Sequence, residues 1–257
     1  MKTRILAAGF LLPLTMVLAA CVSTGPVEDD TSTEAARFNT RLAAEYLKRG
    51  DVQTAMQKVD KALEQDDELP EAHLVKGMIY ARAEEYGEAD DHFLRAADLG
   101  ETDPAILNNV AAYLCRRGRN EDGEEIFLDV AKMATFARPA IALTNAGMCA
   151  RRIPEPARAE RHLRRALDLE PSYAPALWHM AELSLEQGDH LSARAFLQRM
   201  ESVQRLGPDA LWLGVRIERK LEDEAAATRY ADILLRDFPE SAEARALLEN
   251  QQSSTTH

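Results

Sequence analysis

The stretch PEAHLVKGMIYARAEEYGEADDHFLRAADLGETD, residues 70–103, decides the fold, because small and large apolar residues recur in it at helical spacings. Counted from Pro70 as position 1, Gly77 stands at position 8, Ala89 at position 20 and Phe93 at position 24. Two helices pack closely where a small side chain faces a large one. The stretch therefore predicts a hairpin of two helices, and similar hairpins must stack on it to bury its apolar faces.

The same pattern recurs along the chain with a period of about 34 residues, which is the length of a tetratricopeptide repeat. Six repeats can be followed, beginning at residues 36, 70, 104, 140, 174 and, less regularly, near 207. Position 24 holds a large apolar residue in the first five, namely Val59, Phe93, Phe127, Leu163 and Leu197. The sequence predicts an all-α protein, a right-handed α-solenoid of about six tetratricopeptide repeats in residues 36–250 with a short capping helix at its end.

Two places depart from the regular period. Arg138 and Pro139 lie outside the phase and read as a two-residue insertion between repeats three and four. In repeat six, Gly214 and Tyr230 fit one phase, whereas Ala227 and Pro239 fit a phase one residue later. We prefer the first phase, because Tyr230 supplies the large core residue that the second phase lacks.

The first twenty residues are typical of an export signal. Lys2 and Arg4 precede an almost wholly apolar run, and the following Leu-Ala-Ala-Cys, residues 18–21, resembles the lipobox of bacterial lipoproteins. We therefore expect a signal peptide in residues 1–20, acylation of Cys21, a flexible tether in residues 21–35 and a disordered tail in residues 251–257. An ordinary secretory signal with a coincidental cysteine is the alternative.

Charge and motifs exclude several classes of function. With a formal net charge of -12 and a pI of about 5.1, the chain has no general electrostatic reason to bind nucleic acid. The sequence contains no phosphate loop, no His-Glu-x-x-His and no nucleophile elbow. Five histidines stand singly along the repeats: His73, His92, His162, His179 and His190. We expect a protein that is not an enzyme, with no catalytic residue, no metal, no cofactor and no small-molecule substrate.

Two segments in the middle of the chain carry a more specific resemblance. They are NNVAAYLC, residues 108–115, and LTNAGMC, residues 143–149. Together with the lipobox and the six repeats, they resemble the type IV pilus biogenesis and stability lipoproteins, the PilF/PilW pilotin family. The resemblance implies a lipid-anchored protein on the periplasmic face of the outer membrane. Its partners would be the pilus secretin or other pilus assembly proteins, and its role would be secretin localisation and assembly, hence pilus biogenesis and twitching motility.

The repeats alone leave another function open, because many unrelated scaffolds share them. The alternative is a lipoprotein scaffold for other cell-envelope assembly or for peptidoglycan enzymes.

Cys115 and Cys149 are the two thiols that remain if Cys21 is acylated. Exported proteins meet an oxidising compartment, where two remaining cysteines are usually paired. Cys115 stands at position 12 of repeat three and Cys149 at position 10 of repeat four, in helices that should be neighbours. We expect a disulfide between them that clamps the two repeats, with two free buried thiols as the alternative.

Helical geometry predicts which residues face a client. Positions 2, 5, 9 and 12 of each first helix recur at spacings of three and four and should line the concave side of the solenoid. Asn109 and Asn145 share position 6, where their amides could hydrogen-bond an extended peptide. Packing between repeats is the alternative role for this set. The candidate groove residues are Leu74, Met78, Asn108, Asn109, Ala112, Thr144, Asn145, Met148, Trp178 and Leu185.

Repeat four also contains a cluster of six arginines, which could steer an acidic partner. The interpretation that we favour is that these arginines pair with acids of neighbouring repeats or stay solvated. The cluster consists of Arg151, Arg152, Arg158, Arg161, Arg164 and Arg165.

Overall fold

The computed structural model describes residues 28–254, and this part of the chain folds into thirteen α-helices without a β-strand. They are α1 (Glu28–Lys48), α2 (Val52–Gln65), α3 (Pro70–Arg82), α4 (Tyr86–Leu99), α5 (Pro104–Arg116), α6 (Asn120–Val130), α7 (Pro139–Ala150), α8 (Pro156–Leu169), α9 (Ala174–Glu186), α10 (His190–Val203), α11 (Pro208–Lys220), α12 (Glu224–Asp237) and α13 (Ala242–Ser254). The first twelve form six hairpins, and α13 packs against α11 and α12. The predicted all-α solenoid of six repeats is confirmed.

Proline and aspartate set the starts of the helices. Proline is the first residue of α3, α5, α7, α8 and α11, where its missing N–H costs no hydrogen bond. Asp51, Asp189 and Asp223 precede second helices of hairpins, and each side chain accepts a hydrogen bond from a backbone N–H in the first turn. Such caps satisfy donors that a helix leaves unpaired at its N-terminus.

The turn inside most hairpins contains one residue with left-handed backbone at position 15. Gly50, Gly118 and Gly188 occupy it with φ between +80 and +85. In repeats two and six the same place is held by Glu84 (φ 62) and Glu222 (φ 58). A residue with a Cβ loses about 1–2 kcal/mol in this conformation, so these two turns are strained where the others are not.

A glycine facing a large side chain brings the helices of three hairpins together. A Cβ added to Gly77 would lie 2.9 Å from Cδ2 of Phe93, and one added to Gly147 would lie 2.8 Å from Cγ of Leu163. Real Cβ atoms do not approach so closely. The small-against-large contact expected from the sequence is therefore present, and alanine does not fit there without displacing its neighbour.

The helix bounds of repeat six follow the later of its two possible phases. α11 begins at Pro208. The N–H of Ala227 donates to the carbonyl of Asp223, and the residue at position 20 makes the same bond to position 16 at the start of other second helices. Ala227 is buried and Ala226 only half-buried, which also agrees with the later phase. Tyr230 is nevertheless fully buried against Gly214, as Phe93 is against Gly77, so this core contact follows the phase that we prefer.

The ends of the repeat domain lie further out than the sequence predicts. Residues 1–27, including Cys21, lie outside the described residues, but α1 begins at Glu28, inside the expected tether. The hydroxyl of Ser32 donates to the carbonyl of Gln65 at 2.7 Å, which satisfies an acceptor at the end of α2 and docks this polar segment as helix. At the other end α13 runs to Ser254, four residues beyond the expected limit.

The extra residues between repeats three and four follow α6, which is shorter than the other second helices. It ends at Val130, after 11 residues, whereas most second helices have 14. Pro139 does not belong to the insertion, because it is the first residue of α7. The irregular segment is thus the connection in residues 131–138.

Candidate peptide-binding groove

The first helices of the hairpins form a continuous surface. Each of α1, α3, α5, α7 and α9 contacts the first helix of the next repeat. Position 9 of the first four repeats is held by Ala44, Met78, Ala112 and Met148, which line the cavities described below. We call this surface the inner face.

A cavity of about 590 Å³ opens on the inner face between repeats one and two. Its apolar wall includes Leu47, Met78 and Phe93, and cations stand around it. An open cavity of this size with an apolar floor can accept one or two side chains of a bound segment. Its lining consists of Ala44, Glu45, Leu47, Lys48, Val75, Met78, Ala81, Arg82, Phe93 and Arg116.

A second cavity, of about 290 Å³, lies between repeats three and four. Arg116 lines both cavities, so they adjoin on the inner face. A third, of about 390 Å³, lies between repeats five and six and is lined by Leu185, Glu186, Arg216, Arg219 and Lys220. The second is lined by Ala112, Cys115, Arg116, Phe127, Asn145, Met148, Cys149 and Arg152.

Five of the candidate groove residues line these cavities. Met78 lines the first, Ala112, Asn145 and Met148 line the second, and Leu185 lines the third. Met78 is 40% exposed and Met148 is 44% exposed, so both can contact a client. Flexible Met side chains adapt their shape to a bound peptide.

Other candidate groove residues lie elsewhere. Leu74 and Thr144 are buried, and the Thr144 hydroxyl donates to the Ala140 carbonyl of its own helix at 2.7 Å. Both belong to the packing between helices, so their assignment to the groove is corrected. Trp178 is half-buried and lines a separate cavity of about 180 Å³ with residues of α10 and of the start of α11.

The hydrogen bonds of Asn109 and Asn145 to a peptide stay a prediction, and within the chain each of these amides has another partner. The Nδ2 of Asn109 donates to the Ala105 carbonyl one turn earlier, at 2.8 Å. The Nδ2 of Asn145 donates instead to Oδ1 of Asn108, 3.3 Å away in the preceding repeat. Position 5 of one repeat thus meets position 6 of the next, because neighbouring hairpins are rotated relative to each other.

Cys115 and Cys149 lie against each other at the edge of the second cavity. Their Cα atoms are 5.5 Å apart, within the range of disulfides, and the structure joins their sulfur atoms. Gly123 explains how this contact fits. A Cβ there would lie 2.8 Å from the Ala111 carbonyl and would also overlap the Cys115 sulfur, so the glycine that weakens α6 makes room for the cysteine.

A buried polar cluster joins the second helices of the same two repeats. Glu124 of α6 is 1% exposed, and its Oε1 accepts from Nε of Arg158 at 2.7 Å and lies 2.6 Å from Nε2 of His162 in α8. Oε2 of Glu124 has no hydrogen-bond partner among the described residues. No pattern in the sequence indicates this cluster, since a glutamate in an amphipathic helix normally faces solvent.

The sequence predicts that the five histidines stand singly, but two of them are in contact. Nδ1 of His73 lies 2.9 Å from Nδ1 of His92, and Tyr80 stacks on the His92 ring. Burial, with the positive charges of Lys76 and His73, lowers the pKa of His92 to about 4. The His92 ring is therefore neutral at pH 7. Within residues 28–254 no group of three or more His, Cys, Asp or Glu side chains could hold a metal ion.

The arginine cluster of repeat four is mostly neutralised by acids. Arg151 binds Glu182 at 2.9 Å and also Glu186, while Arg161 binds Glu155 and Arg164 binds Glu160. Arg151, and Arg158 with Glu124, pair with acids of neighbouring repeats, as we favour from the sequence. Arg161 and Arg164 pair within their own repeat instead. Arg152 is different, because its Nη1 donates to the Cys115 carbonyl at 2.8 Å and it lines the second cavity.

Four cations line the first two cavities, and sequence reasoning named only Arg152 among them, as a member of the arginine cluster. Lys48, Arg82, Arg116 and Arg152 each stand at position 13 of their repeat, just after the positions that we considered. We call these four residues the cationic row. The signal was available in the sequence, because three of the four are spaced by the repeat length.

Comparison with known proteins places this architecture. Two models of the tetratricopeptide repeat match the chain, at residues 40–104 and at residues 155–213. The chain is a tetratricopeptide repeat protein.

The tetratricopeptide repeat chain is homologous to the type IV pilus assembly protein PilF of Pseudomonas aeruginosa. The two are 25% identical over 240 residues, which cover 92% of this chain and 95% of PilF. The crystal structure of PilW, a widely conserved type IV pilus biogenesis factor, superimposes with a TM-score of 0.72 at 29% identity and covers 83% of this chain and 98% of PilW. The structure of Pseudomonas aeruginosa PilF, at 23% identity, has a TM-score of 0.69 and covers 86% and 99% of the two chains.

None of the helices in the described part of the chain is long and apolar enough to cross a membrane. Cys21, the expected lipidation site, lies outside that part.

Proposed function

We propose that this protein is an assembly factor of the type IV pilus, a pilotin that helps the pilus secretin reach the outer membrane and form its multimer. The observation that carries the proposal is the homology to PilF over 92% of the chain, together with the likeness to PilW along 98% of the length of PilW. The role is one of binding rather than catalysis. Pilus biogenesis and twitching motility depend on it in this proposal.

The inner face is the proposed client-binding surface. Met78 and Met148 are exposed on it and line the first and second cavities. Exposed Met beside apolar cavities is a common feature of surfaces that bind peptides of variable shape. An extended segment of the secretin subunit would lie across repeats one to four, with apolar side chains in the first and second cavities.

Acylation of Cys21 would hold the repeat domain at the periplasmic face of the outer membrane. The Leu-Ala-Ala-Cys sequence supports this anchor, and residues 22–27 leave a short link before α1. A protein tethered to the membrane meets its client at a high effective concentration. The anchor therefore links client binding to delivery at the membrane.

The bond between Cys115 and Cys149 is proposed to form in the periplasm and to clamp repeats three and four. It crosses the junction of these two repeats, next to the irregular connection at residues 131–138. Alkylation of the unreduced protein under denaturing conditions, followed by mass measurement, tests it. Uptake of no label at these cysteines supports the clamp, whereas two labels would refute it.

Deletion of the gene, with immunoblotting for secretin multimers in separated membranes, tests the function. We expect multimers to be lost and restored by the wild-type gene. The Cys21→Ser variant should be expressed but should restore few multimers in the outer membrane. Normal multimers and normal twitching in the deletion strain would reject the pilotin role and favour a scaffold for another envelope client.

A further inference from the structure

The cationic row adds positive charge to the apolar inner face. Lys48, Arg82 and Arg116 follow each other at intervals of 34 residues, and Arg152 comes after the insertion at the same repeat position. All four side chains are exposed. Lys220 holds the equivalent position in repeat six, whereas repeat five has Glu186 there. A protein with a net charge of -12 thus presents a line of positive charge on one face.

A simpler explanation would be the helix dipole, which favours cations at the C-terminus of any helix. This explanation would apply equally to both helices of each hairpin. However, basic residues stand in the last turn of four of the six first helices, namely α1, α3, α5 and α11 but not α7 and α9, and in the last turn of only one second helix, α12. The cations therefore follow the inner face rather than the helix ends as such.

Most of the row also lacks an internal counter-charge. Arg151, Arg158 and Arg194 each form ion pairs with acids of another helix. Among residues 28–254 no such ion pair is formed by Lys48, Arg82 or Arg116. Their charges are free to interact with a partner, and they surround the first cavity.

We propose that the cationic row binds an extended acidic segment of a partner protein, whose apolar side chains enter the first two cavities. Positive charge beside an apolar cavity matches a segment in which acidic and apolar residues alternate. The proposal deepens the proposed function and rests on it only in taking the inner face as the client-binding surface. It names the chemistry of the client segment.

The spacing of the row predicts the spacing of the acids. Helices in contact lie about 8–10 Å apart, and the first helices of successive repeats are in contact. An extended chain advances about 3.3 Å per residue, so three residues span about 10 Å. We expect a carboxylate at about every third residue of the bound segment.

Fluorescence anisotropy with a labelled synthetic peptide tests the proposal on the full-length protein purified in detergent. The probe is a peptide of about 12 residues, about 40 Å when extended, with Glu at every third position and Leu and Ser between. Its partner probe has Gln in place of every Glu. The test variant is Arg82→Glu with Arg116→Glu. The matched control is Lys61→Glu with Arg165→Glu, which makes the same change in net charge at exposed positions of α2 and α8.

We expect the Glu peptide to bind the wild type at least about tenfold more tightly than the Gln peptide, with affinity falling as salt rises. The test variant should lose about tenfold or more in affinity, and the control should keep it. Thermal unfolding by circular dichroism shows that both variants remain folded. Equal binding of the two peptides, an equal loss in the control variant or no binding of the Glu peptide would each overturn the proposal.

The outcome is distinguishable from that of the proposed function. If the Glu peptide binds through Arg82 and Arg116 but secretin multimers are normal in the deletion strain, the acidic-segment site stands and the pilus role fails. If multimers depend on the gene but not on Arg82 and Arg116, and the peptide does not bind, the pilus role stands and the cationic row is excluded.

Discussion

The junction of repeats three and four and the junction of repeats five and six solve the same packing problem differently. At the junction of repeats five and six, large apolar residues such as Leu177, Leu197 and Leu211 belong to one core that runs from repeat four to α13. At the junction of repeats three and four, the local core holds five buried residues. They are Ala111, Cys115, Phe127, Ala146 and Cys149.

Each junction also buries a glutamate, but the two are not equally satisfied. Glu218 of α11 binds Arg194 through both carboxylate oxygens. Glu124 uses a single oxygen for both Arg158 and His162. The junction with the smaller apolar core thus carries the weaker polar pairing and the sulfur bridge. Each repeat of a solenoid contacts only its neighbours, so a change at one junction acts directly on the two repeats that it joins.

Loss of the disulfide should have the largest effect on the free energy of unfolding, and it tests the difference between the two junctions most directly. The chain-entropy relation gives about 3–4 kcal/mol for a loop of sequence separation 34. We expect Cys115→Ala with Cys149→Ala to lower the free energy of unfolding by up to this amount and to make urea unfolding less cooperative. Reduction of the wild type should have the same effect, and reduction of the double variant should have none. Equal stability before and after reduction would contradict the clamp.

Gly123→Ala should be the next most damaging change. The new methyl group meets the Ala111 carbonyl and the Cys115 sulfur, neither of which can move away. Overpacking of this kind costs about 2–3 kcal/mol, although alanine is the better helix former. The cost should shrink in a Cys115→Ala background. A double-mutant cycle in urea measures this coupling, and simple additivity would show that the sulfur does not restrict position 123.

The polar cluster can be tested through the residue that differs between the junctions. His162 at position 23 of repeat four corresponds to Phe196 in repeat five. His162→Phe leaves Glu124 buried with Arg158 alone and should cost about 1–2 kcal/mol in the free energy of unfolding. Adding Glu124→Leu should recover the loss, since apolar residues often replace buried ion pairs without penalty. A larger loss in the double variant would show that the cluster is net stabilising.

The smallest expected effect comes from the turns inside two hairpins. It tests whether relief of backbone strain in one turn stabilises the whole stack. Glu84→Gly removes a side chain from left-handed backbone in the turn of repeat two. It should raise the free energy of unfolding by about 1 kcal/mol, and Glu222→Gly should do the same in repeat six. Gly118→Ala is the reverse control in repeat three. A loss of stability in Glu84→Gly would mean that the side chain has an unrecognised partner.

The sequence alone determined the repeats, because their signal is local. The small residues at positions 8 and 20, the large residue at position 24 and the prolines at helix starts act within one hairpin, and the period of 34 residues adds up their evidence. It also predicted that Cys115 and Cys149 approach each other. The resemblance of residues 108–115 and 143–149 to pilus lipoproteins agrees with the homology to PilF.

Only the tertiary structure decided what depends on the rotation between repeats. That rotation brings Asn108 against Asn145 of the next repeat, and it turns Thr144 into the core. It also buries Glu124 under the next hairpin, because a surface that is wet in one hairpin is covered by its neighbour. Which of Ala226 and Ala227 is buried was decided for the same physical reason: burial is a property of the stack, and sequence spacing describes only the single helix.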